Sequence, residues 1–174
     1  GYDTGVGSYN VKNWRFMVAD FCSITALQPD CKILEIGCGS GAFLYALNEI
    51  FKVECYGVDY SESLIQVAKA AIPNGEFKTQ PANQPSDFNT SFDLIFSNGV
   101  FFYFPDHDYV KEVILNWTKH ISSGGKFALM DLPDEKLEDT YHRERMKAYR
   151  DPSKYDDDYK GLRHLFFNKE SIIQ

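Results

Sequence analysis

The sequence predicts a single α/β domain, a three-layer sandwich with helices on both faces of a mostly parallel sheet. Two observations carry this prediction. Short apolar segments of strand length alternate five times with segments of helical periodicity. Parallel neighbours need a crossover connection, usually a helix, so this order favours a parallel sheet covered on both sides. The length of 174 residues suits one domain with a full core and is short for two.

The first half of the chain alternates helix and strand. Apolar residues at 3.6-residue spacing predict helices at residues 11–28 and 41–51 and between Ser61 and Pro73. Apolar runs predict strands at residues 32–36 and 54–58. Ser61 can cap the third helix and Pro73 ends it, while Asp59 closes the second strand.

The second half continues the alternation. Strands are predicted at residues 76–79, 93–97 and 126–130. A polar, proline-marked loop is predicted at 80–90, a helix at 106–121 and a turn at Gly124-Gly125. Ligands of such a fold bind at the carboxyl ends of the strands.

Charge and composition exclude several classes of function. Acidic residues outnumber basic ones, 25 to 18, and the net charge of -7 disfavours nucleic acid as a partner. No apolar run approaches the roughly 20 residues of a membrane helix. The four cysteines lack CxxC or zinc-ligand spacing, so we expect no metal site and free thiols in a reducing cytoplasm.

The segment most informative about function is residues 35–42, Glu-Ile-Gly-Cys-Gly-Ser-Gly-Ala, between the first strand and the second helix. Glycines allow a tight turn and a close approach of a ligand to the main chain. The helix behind the loop offers unpaired N–H groups. Asp59 follows 18 residues after Gly41 at the end of the next strand, where a carboxylate can accept both ribose hydroxyls of an adenosine.

Two kinds of cofactor fit this loop. The spacing Gly37-x-Gly39-x-x-Ala42 satisfies the dinucleotide pattern. A carboxylate at Glu35, however, is unfavourable beside an anionic pyrophosphate and favourable beside a sulfonium cofactor, which carries a positive sulfur and an ammonium group. Glu35 therefore favours the sulfonium compound, although it could simply hydrogen-bond the glycine loop.

Residues 31–131 resemble the class I S-adenosylmethionine-dependent methyltransferases. The matching stretches stand in family order at residues 34–44 (LEIGCGSGAFL), 56–65 (YGVDYSESLI), 91–104 (SFDLIFSNGVFFYF) and 124–132 (GGKFALMDL). The resemblance implies a Rossmann-like sheet of strand order 3-2-1-4-5. It implies that Gly37, Cys38 and Gly39 lie under the methionine part of S-adenosylmethionine.

The resemblance also assigns roles beyond the loop. It implies that Asp59 holds the ribose hydroxyls, that Tyr60 lies beside the adenine, and that Ser97 and Asn98 lie near the methionine end. Two features depart from the family. Pro81-Ala82 stand where an acid and a small residue often hold the adenine amino group, and the last two strands of the family sheet are missing.

The resulting domain organisation has four parts. We expect an N-terminal helical cap at 1–30, a cofactor-binding core at 31–131, a charged insert at 132–165 and the start of a truncated C-terminal part at 166–174. The insert is interpreted as a solvated helix with a loop, or alternatively as a lid over the substrate. The tail predicts a strand end or loop that caps a new helix.

Catalytic residues are poorly marked because methyl transfer mainly needs alignment of the reacting atoms. The candidate bases are His107, after the aromatic run 101–104, and Asp131, at the end of the fifth strand. Surface or capping roles are the alternatives for both. His142 and His164 could approach with a lid, Phe102 and Tyr103 could face the substrate, and Tyr2 and Tyr9 could fold over the cofactor.

The sequence thus predicts an enzyme that transfers a methyl group from S-adenosylmethionine to oxygen or nitrogen of a small molecule. An NAD-dependent oxidoreductase is the enzymatic alternative, and a non-catalytic cofactor-binding scaffold is the other. The uncovered edge of the fifth strand allows a homodimer.

Overall fold

The computed structural model describes residues 11–85, 88–148, 151–155 and 164–172. In this part of the chain five strands form one sheet in the order β3-β2-β1-β4-β5, and every pairing is parallel. The strands are β1 (Lys32–Ile36), β2 (Glu54–Asp59), β3 (Glu76–Thr79), β4 (Phe92–Asn98) and β5 (Ile121–Met130). The predicted strand order 3-2-1-4-5 is therefore confirmed.

Five longer helices accompany the sheet in the described part of the chain. They are α1 (Val11–Thr25), α2 (Ala42–Phe51), α3 (Glu62–Ala71), α4 (His107–Trp117) and α5 (Glu138–Ala148). Short 3-10 turns lie at Phe101–Tyr103, Thr118–His120, Glu135–Leu137 and Pro152–Lys154, and a four-residue helix lies at Lys169–Ile172.

Two buried clusters show that helices cover both faces of the sheet. On one face, α1, α2 and α3 pack around Phe21, Phe43 and Phe96, whose ring centroids lie 4.9–5.3 Å apart. On the other face, α4 packs Val113 and Trp117 against the sheet. Each fully buried apolar side chain of this kind contributes about 1.5–3 kcal/mol of transfer free energy. The three-layer prediction is confirmed.

Side-chain alternation along β1 positions the first acidic residue. Ile33 belongs to the cluster under α1–α3, and Leu34 and Ile36 belong to the cluster under α4. Since neighbouring side chains of a strand point to opposite faces, Glu35 shares the face of Ile33. It lies beside Gly57 of β2, its register partner, which has no side chain there.

Two helix ends differ from the sequence prediction. Helix α1 stops at Thr25 rather than near residue 28, because Ala26 adopts a left-handed φ of 53° and Lys126 Nζ donates to the Thr25 carbonyl at 2.6 Å. Ser61 occupies the position before α3, but its hydroxyl makes no capping bond and lies 3.1 Å from the Ser63 hydroxyl.

The predicted turn at Gly124-Gly125 is wrong. Helix α4 ends at Trp117, and β5 already begins at Ile121, which pairs with Phe92. The next regular pair joins Leu94 to Lys126, so extra residues of β5 are accommodated as an irregularity within the strand. Gly124 takes a φ of 80° there with no atom within 4 Å of a built Cβ.

Residues 164–168, which we call the C-terminal strap, contact the segments that follow β4 and β5. Phe167 N donates to Pro133 O at 2.8 Å, and Leu165 N donates to Phe102 O at 2.8 Å. Asn168 Oδ1 accepts from Glu170 N at 2.9 Å and caps the short last helix, as predicted for the tail. Tyr2, Tyr9 and the acidic run 156–158 lie outside the described residues.

Candidate functional site

The loop between β1 and α2 is held by the end of β2. The N–H groups of Gly37 and Cys38 both donate to the Val58 carbonyl, at 2.8 and 3.0 Å. Gly37 has a φ of 75°, and a Cβ there would lie 2.5 Å from a methyl group of Val100. Glycine is therefore required at this position by both the backbone conformation and the contact.

Asp59 joins this loop to the start of α3. Its Oδ2 accepts from Gly39 N and its Oδ1 accepts from Ser61 N, both at 2.9 Å. Only 8% of the residue is exposed. A carboxylate has about four acceptor sites, so both oxygens keep capacity for donors of a bound molecule.

Glu35 is the most deeply buried acid near the loop, with 3% exposure. No described donor lies within hydrogen-bond distance of its Oε2. Burial, and then the nearby Asp59 carboxylate, hold the pKa of Glu35 well above its usual range. A cation that reached this carboxyl group would be strongly favoured.

The same environment disfavours ionisation of two thiols, those of Cys38 in the loop and Cys55 in β2. Burial, followed by the charges of Glu35 and Asp59, raises the pKa of Cys38. Burial and the charge of Glu35 raise the pKa of Cys55 to about 12. All four cysteines of the chain are free, and these two stay protonated at neutral pH.

Ser97 braces the two central strands. Its hydroxyl donates to the Ile36 carbonyl at 2.7 Å, and only 1% of the residue is exposed. Asn98, the last residue of β4, pairs with Met130 of β5 and is half-buried. Ser97 therefore fixes the strand end that carries the glycine loop.

A cavity of about 400 Å³ opens at the carboxyl ends of the strands. Five of the predicted binding residues line it: Gly37, Asp59, Tyr60, Pro81 and Ala82. The other lining residues are Val58, Gln80, Gly99, Val100, Tyr103, Phe104, Pro105 and Tyr109. The other predicted binding residues do not line it: Glu35, Cys38, Gly39, Ser97 and Asn98.

Several lining residues were missed by the sequence analysis. Gln80 precedes the two residues in which an adenine contact was sought, and Tyr109 lies on the first turns of α4. The aromatic run 101–104 was a usable signal, because Tyr103 and Phe104 line the cavity while Phe102 is buried. Tyr60 was predicted, and 84% of it is exposed at the cavity rim.

The loop after β3 is tied to α4. Trp117 Nε1 donates to Ala82 O at 2.7 Å, and the Tyr109 hydroxyl donates to Asn83 Oδ1 at 3.2 Å. The Asn83 amide nitrogen donates to Glu112 at 3.3 Å. The side chain of Asn83 is thus committed to α4.

The two candidate bases lie in different places. His107 Nε2 donates to the Phe166 carbonyl at 2.9 Å and does not line the cavity. Asp131 follows β5 with a left-handed φ of 55°. Its Oδ2 lies next to Gly99, a lining residue, 3.4 Å from the position that a Cβ would take there. Partial loss of solvation raises the pKa of the Asp131 carboxyl group, although the residue as a whole is exposed.

His142 and His164 help to hold α5 against the C-terminal strap. The Tyr141 hydroxyl accepts from Arg145 Nη1 at 2.7 Å and lies 2.8 Å from His164 Nδ1. The His164 ring packs on Tyr103 with a centroid distance of 4.8 Å. His142 Nδ1 lies 3.2 Å from the Tyr155 hydroxyl. The insert thus reaches the cavity wall through Tyr103.

Two features are absent from the described residues. No group of three or more His, Cys, Asp or Glu side chains there could hold a metal ion. No described helix has both the length and the apolar character needed to cross a bilayer.

Comparison with known protein families gives one match over most of the chain. Residues 27–160 match a family described as "Methyltransferase domain". The chain is 33% identical over 97 residues to malonyl-[acyl-carrier protein] O-methyltransferase of Bacillus anthracis, covering 54% of this chain and 35% of that protein. It is 26% identical over 119 residues to phosphoethanolamine N-methyltransferase 3 of Arabidopsis thaliana, covering 64% and 23%.

A third relative is trans-aconitate 2-methyltransferase of Variovorax paradoxus, 25% identical over 127 residues and covering 72% of this chain and 48% of that protein. The chain spans less than half the length of each of these relatives. Among solved structures, the YcgJ protein of Bacillus subtilis superposes with a TM-score of 0.66 at 20% identity, covering 90% and 64%.

The S-adenosylmethionine-bound CalS10, an amino pentose methyltransferase of Micromonospora echinaspora, superposes with a TM-score of 0.63 at 20% identity, covering 76% and 55%. These likenesses confirm the fold.

Proposed function

This chain belongs to the methyltransferase-domain family, and we propose that it binds S-adenosylmethionine and methylates a small molecule at oxygen or nitrogen. The observation that carries the proposal is the pair Glu35 and Asp59, two buried carboxylates at adjacent strand ends beside a glycine loop. The names of the relatives support it, since they include O- and N-methyltransferases of small acceptor groups.

The residues present fit this cofactor. Its sulfonium supplies a methyl group by in-line displacement, with the sulfur leaving as a neutral thioether. In the proposed arrangement Asp59 accepts from the ribose hydroxyls with its remaining lone pairs, and Tyr60, Pro81 and Ala82 enclose the adenine. The loop residues Gly37, Cys38 and Gly39 and the strand ends at Ser97 and Asn98 surround the methionine part.

Glu35 supports a sulfonium rather than a dinucleotide. A buried carboxyl group with an unpartnered oxygen gains a partner when a cation arrives. Beside a pyrophosphate, the same group would add repulsion or would have to stay protonated. The NAD-dependent oxidoreductase is therefore not favoured.

Catalysis in this proposal rests on alignment and exclusion of water. Asp131 is proposed as the acceptor-side base, because its carboxyl group approaches Gly99 at the cavity and has a raised pKa. His107 is the weaker candidate, because its Nε2–H is donated to the Phe166 carbonyl, which leaves Nδ1 as the accepting nitrogen, and the residue does not line the cavity. Tyr103 is proposed to face the acceptor.

The proposal extends to the setting of the protein. Free thiols and a net charge of -7 support a cytoplasmic protein with a small-molecule substrate and no nucleic-acid or membrane partner. Strand β5 lies at the edge of the described sheet with half-buried Phe127 and Leu129, which supports a homodimer. Sedimentation over a range of protein concentrations tests the dimer.

Calorimetric titration with S-adenosylhomocysteine tests the function directly. We expect saturable binding with one site per chain, and no binding of NAD in a parallel titration. Lack of S-adenosylhomocysteine binding would overturn the proposal. Turnover of methyl-labelled S-adenosylmethionine with a panel of hydroxyl, carboxylate and amine acceptors then separates an enzyme from a scaffold, because a scaffold would bind the cofactor without transfer.

A further inference from the structure

The cavity leaves room for the methyl acceptor at its margin. Its volume of about 400 Å³ is near the lower end of the range of about 300–1,000 Å³ for small-molecule sites, so a molecule as large as S-adenosylmethionine takes up most of it. In the proposed arrangement the ribose lies at Asp59 and the methionine part at Asn98. The acceptor therefore approaches over the segment that follows Asn98, which contributes Gly99, Val100 and Tyr103 to the lining.

Asp131 lies beside this segment. Strands β4 and β5 end together, since Asn98 is the register partner of Met130 and Gly99 N donates to the Met130 carbonyl at 3.3 Å. Asp131 follows directly, with its Oδ2 next to Gly99. The residue is exposed and does not itself line the cavity. Its carboxylate thus lies outside the space proposed for the cofactor and on the side from which an acceptor approaches.

The Asp131 carboxylate has no partner in the part of the chain that the structure describes. None of the ion pairs there includes it. Loss of solvation is the one cause of its raised pKa. A neighbouring cation or a hydrogen-bond donor would instead lower that pKa. The side chain is therefore available to a cation or an N–H group of a bound molecule.

The wall next to Asp131 is aromatic and carries no positive charge. Tyr103 and Phe104 line the cavity, and 44% of Tyr103 is exposed. No lining residue is Lys, Arg or His, and Arg145 of α5 donates to the Tyr141 hydroxyl instead. A ring face and a carboxylate both attract a cation. A carboxylate or phosphate would be repelled by Asp131, and none of the lining residues offers a charge to offset that repulsion.

We infer that the acceptor is an amine on an apolar, ring-sized body, with its nitrogen at Asp131 and its body against Tyr103. This inference rests on the proposed function and adds the substrate class. Asp131 accepts one proton of the bound ammonium group, which frees the nitrogen lone pair. That lone pair forms the bond to the methyl carbon while the carbon–sulfur bond breaks, and the electron pair of the broken bond stays on sulfur. The product is a methylammonium ion, and Asp131 returns its proton to water.

The experiment compares two probes with the same ring and opposite charge. Phenethylamine carries an ammonium group, and phenylpropionate carries a carboxylate. Each is titrated by calorimetry into protein saturated with S-adenosylhomocysteine. We expect the amine to bind at least about tenfold more tightly, because only the amine is attracted by the carboxylate.

Two variants assign the preference to Asp131. Asp131→Asn keeps the size of the side chain, and asparagine tolerates the left-handed φ as aspartate does. It should lose most of the preference while still binding S-adenosylhomocysteine. Asp108→Asn makes the same change of net charge at an exposed residue of α4 that does not line the cavity, and should keep the preference. Circular dichroism establishes that each variant is folded.

The outcomes separate the inference from the proposed function. Binding of neither probe, equal or tighter binding of phenylpropionate, or an undiminished preference in folded Asp131→Asn would overturn the amine assignment. Each of these results leaves the function in place as long as S-adenosylhomocysteine binds. If S-adenosylhomocysteine did not bind to the wild-type protein, the proposed function itself would fail, and the inference with it.

Discussion

Glu35 carries an energetic cost in the free protein. Its folded-state pKa is raised by burial and by Asp59, so the folded state holds the proton more tightly than the unfolded state does. The stability contribution of this group is therefore present below the usual pKa of a glutamate and falls as the pH rises toward the raised value. A buried carboxylate is tolerated here because a bound cation would offset that cost.

The first prediction concerns Glu35→Gln. Removing the ionisable group should flatten the decline in unfolding free energy as the pH rises above the usual glutamate pKa of 4.5, as measured by urea denaturation. The variant should bind S-adenosylmethionine about 10–100-fold more weakly, because a charge-assisted contact is lost. Glu62→Gln, an exposed acid on α3, is the control. An unchanged pH slope would contradict the buried, high-pKa assignment.

Asp59 has a structural role as well as the proposed ribose contact, so its substitution alone cannot separate stability from ligand binding. Its carboxylate accepts the N–H groups of Gly39 and Ser61 in addition to any ribose hydroxyls. We predict that Asp59→Ala loses about 1–3 kcal/mol of stability and weakens S-adenosylhomocysteine binding about 10–100-fold, measured by denaturation and calorimetry.

The chain offers a matched control for Asp59. Asp93 likewise accepts from a backbone N–H, that of Lys32 at 2.9 Å, and from the Ser122 hydroxyl at 2.9 Å, at the opposite end of the strands. Asp93→Ala should lower stability and leave ligand affinity unchanged. Equal loss of affinity in both variants would argue against a direct role of Asp59.

Gly37 allows steric fit to be separated from backbone strain. Gly37→Ala should be destabilised by about 1–2 kcal/mol for its left-handed φ, with an added cost from the 2.5 Å contact to Val100. Gly124→Ala has a similar φ of 80° with open space and should show the strain alone. Chemical denaturation measures both, and Val100→Ala should recover part of the difference. Equal losses at the two glycines would rule out the contact.

At the scale of elements, the insert is a docked helix rather than a free one. Helix α5 is strongly polar, yet the rings of Tyr141 and His142 contact Phe166 of the C-terminal strap at steep interplanar angles, with centroid distances of 5.3 and 5.6 Å. His164 then packs on Tyr103 at the cavity. These ring contacts connect α5 to the cavity wall, as the lid interpretation requires.

We predict that Tyr141→Phe loosens this docking while keeping the ring contacts. Loss of the bonds to Arg145 and His164 should lower amide protection in α5 and the strap about tenfold, measured by hydrogen exchange. Tyr45→Phe, which removes an exposed hydroxyl from α2, should leave this region unchanged. Unaltered exchange in Tyr141→Phe would mean that apolar packing alone holds the insert.

At the scale of the whole molecule, the cavity is formed by loops that follow β1, β2, β3 and β4 together. A ligand that bridges them should stabilise the entire fold. S-adenosylhomocysteine at 100 times its dissociation constant should add about 2.7 kcal/mol and raise the melting temperature by roughly 5–11 °C, measured by calorimetry. A shift no larger than that given by NAD would contradict a specific site.

Much of this architecture could be predicted from local patterns. The strand alternation, the glycine loop and Asp59 each depend on residues close in sequence, so periodicity and spacing are sufficient to find them. The start of β5 was missed because its pairing with Phe92 is a contact between segments distant in the chain. The sequence did not reveal that Ser97 links β4 to β1, because its hydrogen-bond partner Ile36 lies 61 residues away in the chain.

The sequence by itself determined the fold class, the strand order through its family resemblance, and the two acidic strand ends around the glycine loop. Only the tertiary structure decided which side-chain oxygens already accept a hydrogen bond. Those of Asp59 accept from two backbone amides, and that of Asn83 accepts from Tyr109 of α4. Among the described residues no donor reaches the Oε2 of Glu35 or the Oε1 of Gln80. Local pattern sets which residues reach the strand ends. Strand pairing and burial determine which polar atoms of these residues remain available to a ligand, because both depend on neighbours that only folding brings together.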